Sequence, residues 1–261
     1  MNDAFRKQFQ GKDPFAELAA LNGKVYRQLA GRKTFQFDLA GRSYFAKLHF
    51  GIGWQEIFKN LVLLRLPIVG ARNEWEAIGR LQELGIATMT AVAYGEEGFN
   101  PATRKSFIVT EALQDTISLE DFCLQWQQRA PAFLLKRQLI TQLAQTSRTL
   151  HSNGICHRDY YLCHFLLHLQ NGLPRADLRM SLIDLHRALI RRNLGRRWIV
   201  KDLAGLYYSA LHIGLTHTDL LRFIRCYEQQ DLRTALTKNL SFWNEVNKRA
   251  VAMFKKRGPA R

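Results

Sequence analysis

Residues 151–167 read HSNGICHRDYYLCHFLL. A carboxylate set between a helix-ending Asn-Gly and an apolar run can orient a hydroxyl and take its proton, and Asp159 has that setting. The same segment contains Cys156, His157, Cys163 and His164, all of them metal-ligand types. Their CH-x5-CH spacing is a poor match for zinc, whose structural sites space paired ligands about two to four residues apart. A third reading is a packed turn, in which His157 forms hydrogen bonds and does no chemistry.

Phosphoryl transfer needs few protein groups. They are a cation on the phosphates, a carboxylate for Mg²⁺, and a carboxylate at the attacking hydroxyl. In kinase-like folds these arrive in a fixed order. A strand lysine comes first, and YFAKLHF supplies Lys47. A helix glutamate that orients it comes next, and RNEWEAI offers Glu74 and Glu76 on different helix faces. Glu74 is preferred, because it lies one turn before Ile78 in the apolar stripe. HRD then supplies Asp159, and SLIDLH supplies Asp184, 25 residues later, among apolar neighbours where an unpaired carboxylate is costly. Each match alone is weak; four in order on the right elements are not.

Two features depart from the pattern. The position five residues after Asp159, where kinases place an Asn on the second Mg²⁺, is His164. Imidazole suits zinc or iron better than hard Mg²⁺, so His164 fits that metal position badly. There is also no GxGxxG. The first hairpin has only Gly31 with Arg32 and Lys33 to cradle phosphate.

The elements that must position these residues are legible. KVYRQL, TFQFDL and SYFAKLH alternate as three short strands around Gly-centred turns. Residues 72–84 carry Trp75, Ile78, Leu81 and Leu84 at helical spacing, and SFIVTEAL at 106–113 reads as a buried strand. A helix with Leu135, Leu139, Leu143 and Leu150 on one face ends at Asn153-Gly154. Short strands FLLH and SLIDL follow, and from about residue 198 the pattern is mainly helical. The expected fold is α+β and bilobal, protein-kinase-like. A small antiparallel-sheet N-lobe at 1–112 carries the phosphate lysine, and a mainly helical C-lobe at 113–261 carries the catalytic loop, metal Asp and acceptor site.

Bulk composition is consistent with this. A chain of 261 residues with 47% hydrophobic content can bury a sizeable core. Its 38 Lys+Arg against 22 Asp+Glu give a formal charge of +16, which favours polyanionic partners. The four cysteines form no CxxC, as expected of a reduced, cytosol-facing protein. MNDAFRKQFQGKDPF has no apolar run, so no secretory signal is expected. IFKNLVLLRLPIVGA is broken by Lys59, Arg65 and Pro67 and is too short to span a bilayer.

The stretch HSNGICHRDYYLCHFLL resembles the corresponding loop of the lipopolysaccharide core heptose(I) kinases of Gram-negative bacteria. The resemblance continues through GKVYRQL, RSYFAKLHFGIGWQEIFKNL, LPIVGARNEWEAI, GIATMTAVAYGE, SFIVTEAL, SLIDLHRA and RRWIVKDLAGLYYSAL, from about residue 11 to 230. It implies ATP-dependent phosphorylation of the first inner-core heptose at its 4-hydroxyl, by a protein peripheral on the cytoplasmic face of the inner membrane. It also implies roles: Asp159 catalytic, Lys47 on the nucleotide phosphates, Asp184 on Mg²⁺, and Glu111 to Leu113 as the adenine-facing hinge.

Charge patterning adds an acceptor site. HRALIRRNLGRRWIVK, directly after Asp184, contains Arg187, Arg191, Arg192, Arg196 and Arg197 and no acid. Arginine pairs bidentately with carboxylate and phosphate, which suits an anionic glycolipid such as a lipopolysaccharide core precursor. Residues 49–72 mix Trp54, Ile57, Phe58, Leu61 and Leu64 with Lys59, Arg65 and Arg72, as an interfacial element on the inner-membrane surface would. An acidic protein such as an acyl carrier protein is a further candidate partner. No specific nucleic-acid signature is present. Another small-molecule or protein kinase of the same fold, or a pseudokinase scaffold, are the competing readings.

Overall fold

The computed structural model describes residues 5, 9–29, 31–51, 53–62 and 70–259, without the side chains of residues 56, 60 and 61. Leu64, Arg65, Pro67 and the Leu61 side chain of the expected interfacial element therefore lie outside the described residues. Chain contacts divide the protein into two compact units. The first comprises 1–82, 88–114 and 185–187, and the second comprises 83–87, 115–184 and 188–261.

The first unit is built on a five-stranded antiparallel sheet. Its strands are β1 (Lys24–Leu29), β2 (Arg32–Leu39), β3 (Arg42–His49), β4 (Ala91–Glu97) and β5 (Lys105–Glu111), in spatial order β1-β2-β3-β5-β4. β4 was not foreseen as a strand. Side chains alternate across the pleat. Phe35, Phe37, Tyr44, Ala46, Leu48, Phe107 and Val109 share one buried face, which Leu18 of helix α1 (Pro14–Ala20) and Phe5 and Phe9 also join. Lys47, between Ala46 and Leu48, points to the opposite face. Two further helices belong here: α2 (Gly53–Val62) and α3 (Arg72–Glu83). α3 buries Glu74, Ala77, Ile78 and Leu81, an i, i+3, i+4, i+7 stripe.

The second unit is mainly helical. α4 (Leu119–Cys123), α5 (Phe133–Ser152), α6 (Arg196–Ala210), α7 (His217–Glu228) and α8 (Leu232–Arg257) surround small sheets. β8 (Phe165–Gln170) pairs with β6 (Thr116–Ser118), β9 (Leu173–Pro174) and β10 (Met180–Leu182), and β7 (Ile155–Cys156) pairs with β11 (Leu189–Ile190). α6 and α8 pack through Val200, Leu203, Ala204, Trp243, Val246 and Ala250. The strand expected over SLIDL stops at Leu182. Asp184 has φ 61, a left-handed conformation that ends strand pairing.

Candidate active site

In the first unit, Lys47 Nζ lies 2.7 Å from Glu74 Oε1. Sheet alternation turns Lys47 away from the aromatic core, and the helical stripe that buries Ile78 carries Glu74 with it. Glu74 is 1% exposed, so its charge is held by the lysine. Glu76 sits two residues on and faces solvent, where it pairs with Arg72 at 2.9 Å. His49, two residues beyond Lys47 on the same face, is buried. Burial, with Arg32, Lys47 and His186 nearby, pulls its imidazole down to about 3. Of the two basic residues expected to cradle phosphate, Lys33 lies with its ammonium 4.6 Å from the Phe35 ring. Lys33 pairs with Leu48 across the strands, which puts it on the core face of the sheet and not on the face of Lys47. Arg32 pairs with His49 and shares the Lys47 face. In the expected hinge, the Glu111 amide donates to Thr90 O at 2.9 Å and the Ala112 amide to Ser43 O at 2.9 Å. Leu113 follows, half-buried.

In the second unit the loop that carries Asp159 is held from beneath by Asp202 of α6. Its fully buried carboxylate accepts the His157 amide at 2.6 Å and the Arg158 amide at 2.8 Å. Burial alone would raise this carboxyl. The His151 imidazole, whose Nε2 is 3.6 Å away, together with the main-chain N–H of His157 outweighs burial and holds it below the usual carboxylate range. Arg158 adopts φ 73, a conformation that costs a non-glycine residue free energy unless its surroundings impose it. The two amide N–H hydrogen bonds to one carboxylate impose it here, and the loop then presents Asp159 at its partly exposed crest. Gly154 enters the same loop with φ 75, and a Cβ there would sit 1.8 Å from Arg191 O.

His157 is a structural residue. Its Nε2–H donates to Ile183 O at 2.9 Å, and burial lowers its imidazole, so the ring is neutral. This bond ties the loop to the segment that carries Asp184. His164 Nδ1 donates to Asp159 O at 2.6 Å. A carbonyl can only accept, so the proton is on Nδ1. Nε2 then faces Asp184 Oδ2 at 3.7 Å. Asp184 supplies the oxygen donor a hard cation prefers, while His164 is engaged in holding the Asp159 main chain. Cys156 is buried with its thiol donating to Trp198 O at 3.6 Å, and burial pushes the Cys163 thiol up to about 12. Thiolate, the form zinc requires, is disfavoured at both. Among the described residues no group of three or more His, Cys, Asp or Glu is arranged to hold a metal.

The Arg-rich segment is tied to this loop by β7–β11 pairing and by the Arg191 amide, which donates to Gly154 O at 2.9 Å. Arg191, Arg192 and Arg197 are exposed on it, and Arg187 falls in the first unit. Arg196 is otherwise engaged. Its guanidinium pairs with Glu245 at 3.0 Å and lies 5.4 Å from the Phe242 ring, both on α8. Asp202, His151 and Ser209, which accepts the Leu162 amide at 3.0 Å, were not singled out from the sequence. One signal was available: a carboxylate amid Val200, Leu203 and Ala204 sits on the buried face of its helix.

The model of the lipopolysaccharide kinase (Kdo/WaaP) family matches residues 16–227. The chain is 48% identical over 257 residues to the lipopolysaccharide core heptose(I) kinase WaaP of Pseudomonas aeruginosa, covering 98% of this chain and 96% of that one. It is 46% identical to the Escherichia coli protein of the same name, over 96% of this chain and 95% of that one. A solved structure, WaaP in complex with acyl carrier protein, superposes with a TM-score of 0.85 at 44% identity, covering 97% of this chain and 98% of that one. With a kinase-like α+β fold and near-complete coverage, this chain belongs to the lipopolysaccharide kinase (Kdo/WaaP) family.

Proposed function

We propose that this protein transfers the γ-phosphoryl group of ATP to the 4-hydroxyl of the first heptose of the lipopolysaccharide inner core. The observation that carries the reading is Asp159 held at the crest of a loop whose amides are fixed on Asp202, in a chain 48% identical to a heptose(I) kinase. The acceptor oxygen attacks the γ-phosphorus, the bond to the bridging oxygen of ADP breaks, and the acceptor proton passes to the Asp159 carboxylate. Lys47, aligned by Glu74, neutralises phosphate charge. Glu111 to Leu113 face the adenine. Asp184 would hold Mg²⁺, with His164 steadying the loop beside it, and the ion would offset charge on the transferring phosphates. In this division of labour residues 1–112 serve the nucleotide, and residues 113–261 serve catalysis, metal and acceptor.

Arg191, Arg192 and Arg197, with Arg187, suit the anionic core of the acceptor. The acceptor is a glycolipid, so the protein works at the cytoplasmic face of the inner membrane of a Gram-negative cell. No helix among the described residues is long and apolar enough to cross a membrane; the association proposed is peripheral. The solved relative in complex with acyl carrier protein supports such a partner here, and the +16 charge suits an acidic one. Incubation of purified protein with ATP, Mg²⁺ and dephosphorylated core acceptor, followed by ³¹P NMR, tests the reading. A new phosphomonoester on the first heptose is expected; no transfer, or transfer to another sugar, would reject it.

A further inference from the structure

Five exposed large apolar side chains gather at one corner of the first unit. α2 presents Trp54, Phe58 and Val62 at i, i+4 and i+8, 49%, 59% and 81% exposed, while Ile57 turns inward. Trp54 and Phe58 rings lie 5.8 Å apart. The connection between β4 and β5 ends in Phe99, which is 100% exposed, and Phe50 at the other flank is 43% exposed.

The two segments are locked together. The Gly53 amide donates to Ala102 O at 3.0 Å. Gly51 has φ 86 and approaches so closely that a Cβ would lie 2.4 Å from Ala102 O. The Phe99 tip is itself braced. Arg104 pairs with Glu96 at 2.7 Å and donates to Gly98 O at 3.2 Å and Phe99 O at 3.3 Å. Asn100 Oδ1 accepts the Ala102 amide at 2.9 Å. A rigid tip that holds a whole phenyl ring in water gains nothing within the chain, and aromatic rings with one wet face favour the boundary of a bilayer.

We infer that α2 and the β4–β5 tip form a lipid-contacting element, on which Trp54, Phe58, Val62 and Phe99 enter the headgroup boundary of an anionic bilayer. The occupant follows from chemistry. Residues 49–72 carry Lys59, Arg65 and Arg72, the last paired with Glu76 beyond the segment, against Glu56 alone, in a chain of net +16. Lys105 adjoins the tip, and the acids there are Glu96, paired with Arg104, and Glu97, opposite Lys105 in the strand register. The family's acceptor is lipid-anchored, so its kinase must meet a membrane surface; in this respect the inference rests on the proposed function. Cations beside an aromatic stripe are the composition that binds anionic interfaces.

The test is flotation of the full-length protein with vesicles of phosphatidylcholine alone and of phosphatidylcholine with phosphatidylglycerol. Wild type is expected to float with the anionic vesicles and much less with the neutral ones. Trp54→Ser with Phe58→Ser, and separately Phe99→Ser, should each lower partitioning, the pair by about ten-fold or more. Leu173→Ser, an exposed apolar residue of the second unit, should leave it unchanged. Thermal melts of all variants should match wild type, because the residues replaced are exposed. Equal partitioning of wild type and the α2 and tip variants would overturn the inference. So would a wild-type dimer that the same substitutions dissociate, since a second copy would then cover the patch. Phosphorylation of a soluble, delipidated core acceptor is measured alongside and should be unaffected by these substitutions. Failure of that reaction in wild type rejects the kinase reading, and flotation still decides the membrane contact.

Discussion

The Asp202 carboxylate, buried in α6, receives the main-chain amides of His157 and Arg158 at 2.6 and 2.8 Å. One acid thereby fixes the two residues that precede Asp159, the proposed catalytic aspartate. Asp202→Ala leaves two buried N–H groups without an acceptor, each costing about 1–3 kcal/mol. A fall in denaturation free energy of several kcal/mol is expected. Asp202→Asn keeps one acceptor oxygen and should retain more stability, with kcat reduced and nucleotide KM little changed. An Asn variant with wild-type kcat would remove Asp202 from the positioning of Asp159.

If the Asp159 carboxylate serves the acceptor proton, as proposed, Asp159→Asn and Asp159→Ala should abolish turnover and leave nucleotide affinity nearly intact. Retention of more than about a few per cent of the wild-type rate, against the 10²–10⁴-fold contribution of a general base, would show that the base is elsewhere.

Glu74 and Glu76 lie two residues apart with opposite expectations. Glu74→Gln loosens the buried partner of Lys47, so stabilisation of the fold by Mg-nucleotide should shrink, as it should in Lys47→Ala and Asp184→Ala. Glu76→Gln breaks only a surface pair with Arg72 and should behave as wild type. Thermal shift with and without Mg-ATP measures both.

Arg191, Arg192 and Arg197 are expected to act on the acceptor. Replacing two of them with Gln should raise acceptor KM roughly three- to thirty-fold, leave the KM for ATP in place, and flatten the salt dependence of acceptor binding. Arg196→Gln should move acceptor KM little, because its guanidinium is already paired with Glu245. Steady-state kinetics at two ionic strengths distinguish the two cases.

Acid should weaken the fold through His49. Its folded value is about 3, whereas the unfolded chain takes up a proton near the ordinary 6.5. The unfolded state therefore binds more protons below about pH 6.5, and stability falls as pH drops from there toward 3 at up to about 1.4 kcal/mol per unit. Buried, neutral His157 acts in the same direction. Denaturant midpoints at neutral and mildly acidic pH should differ by less in His49→Gln than in wild type.

Local pattern alone determined much of this protein. The order Lys47, Glu74, Asp159, Asp184 was legible because each lies in a segment whose period or turn chemistry declares its element. Glu74 was separable from Glu76 because 100° per residue puts only one of them on the stripe of Ile78. Tertiary structure decided what depends on partners distant in sequence. β4 needed β5 beside it to be a strand, and the Lys33 ammonium was drawn to the core face by strand register. Arg196, indistinguishable from Arg197 by sequence, pairs with Glu245 of α8, 49 residues further along the chain. The support of the Asp159 loop by Asp202 could not be read locally either. A carboxylate tolerates full burial only where donors converge on it, and here the His157 and Arg158 amides come together with it only once α6 packs beneath the loop.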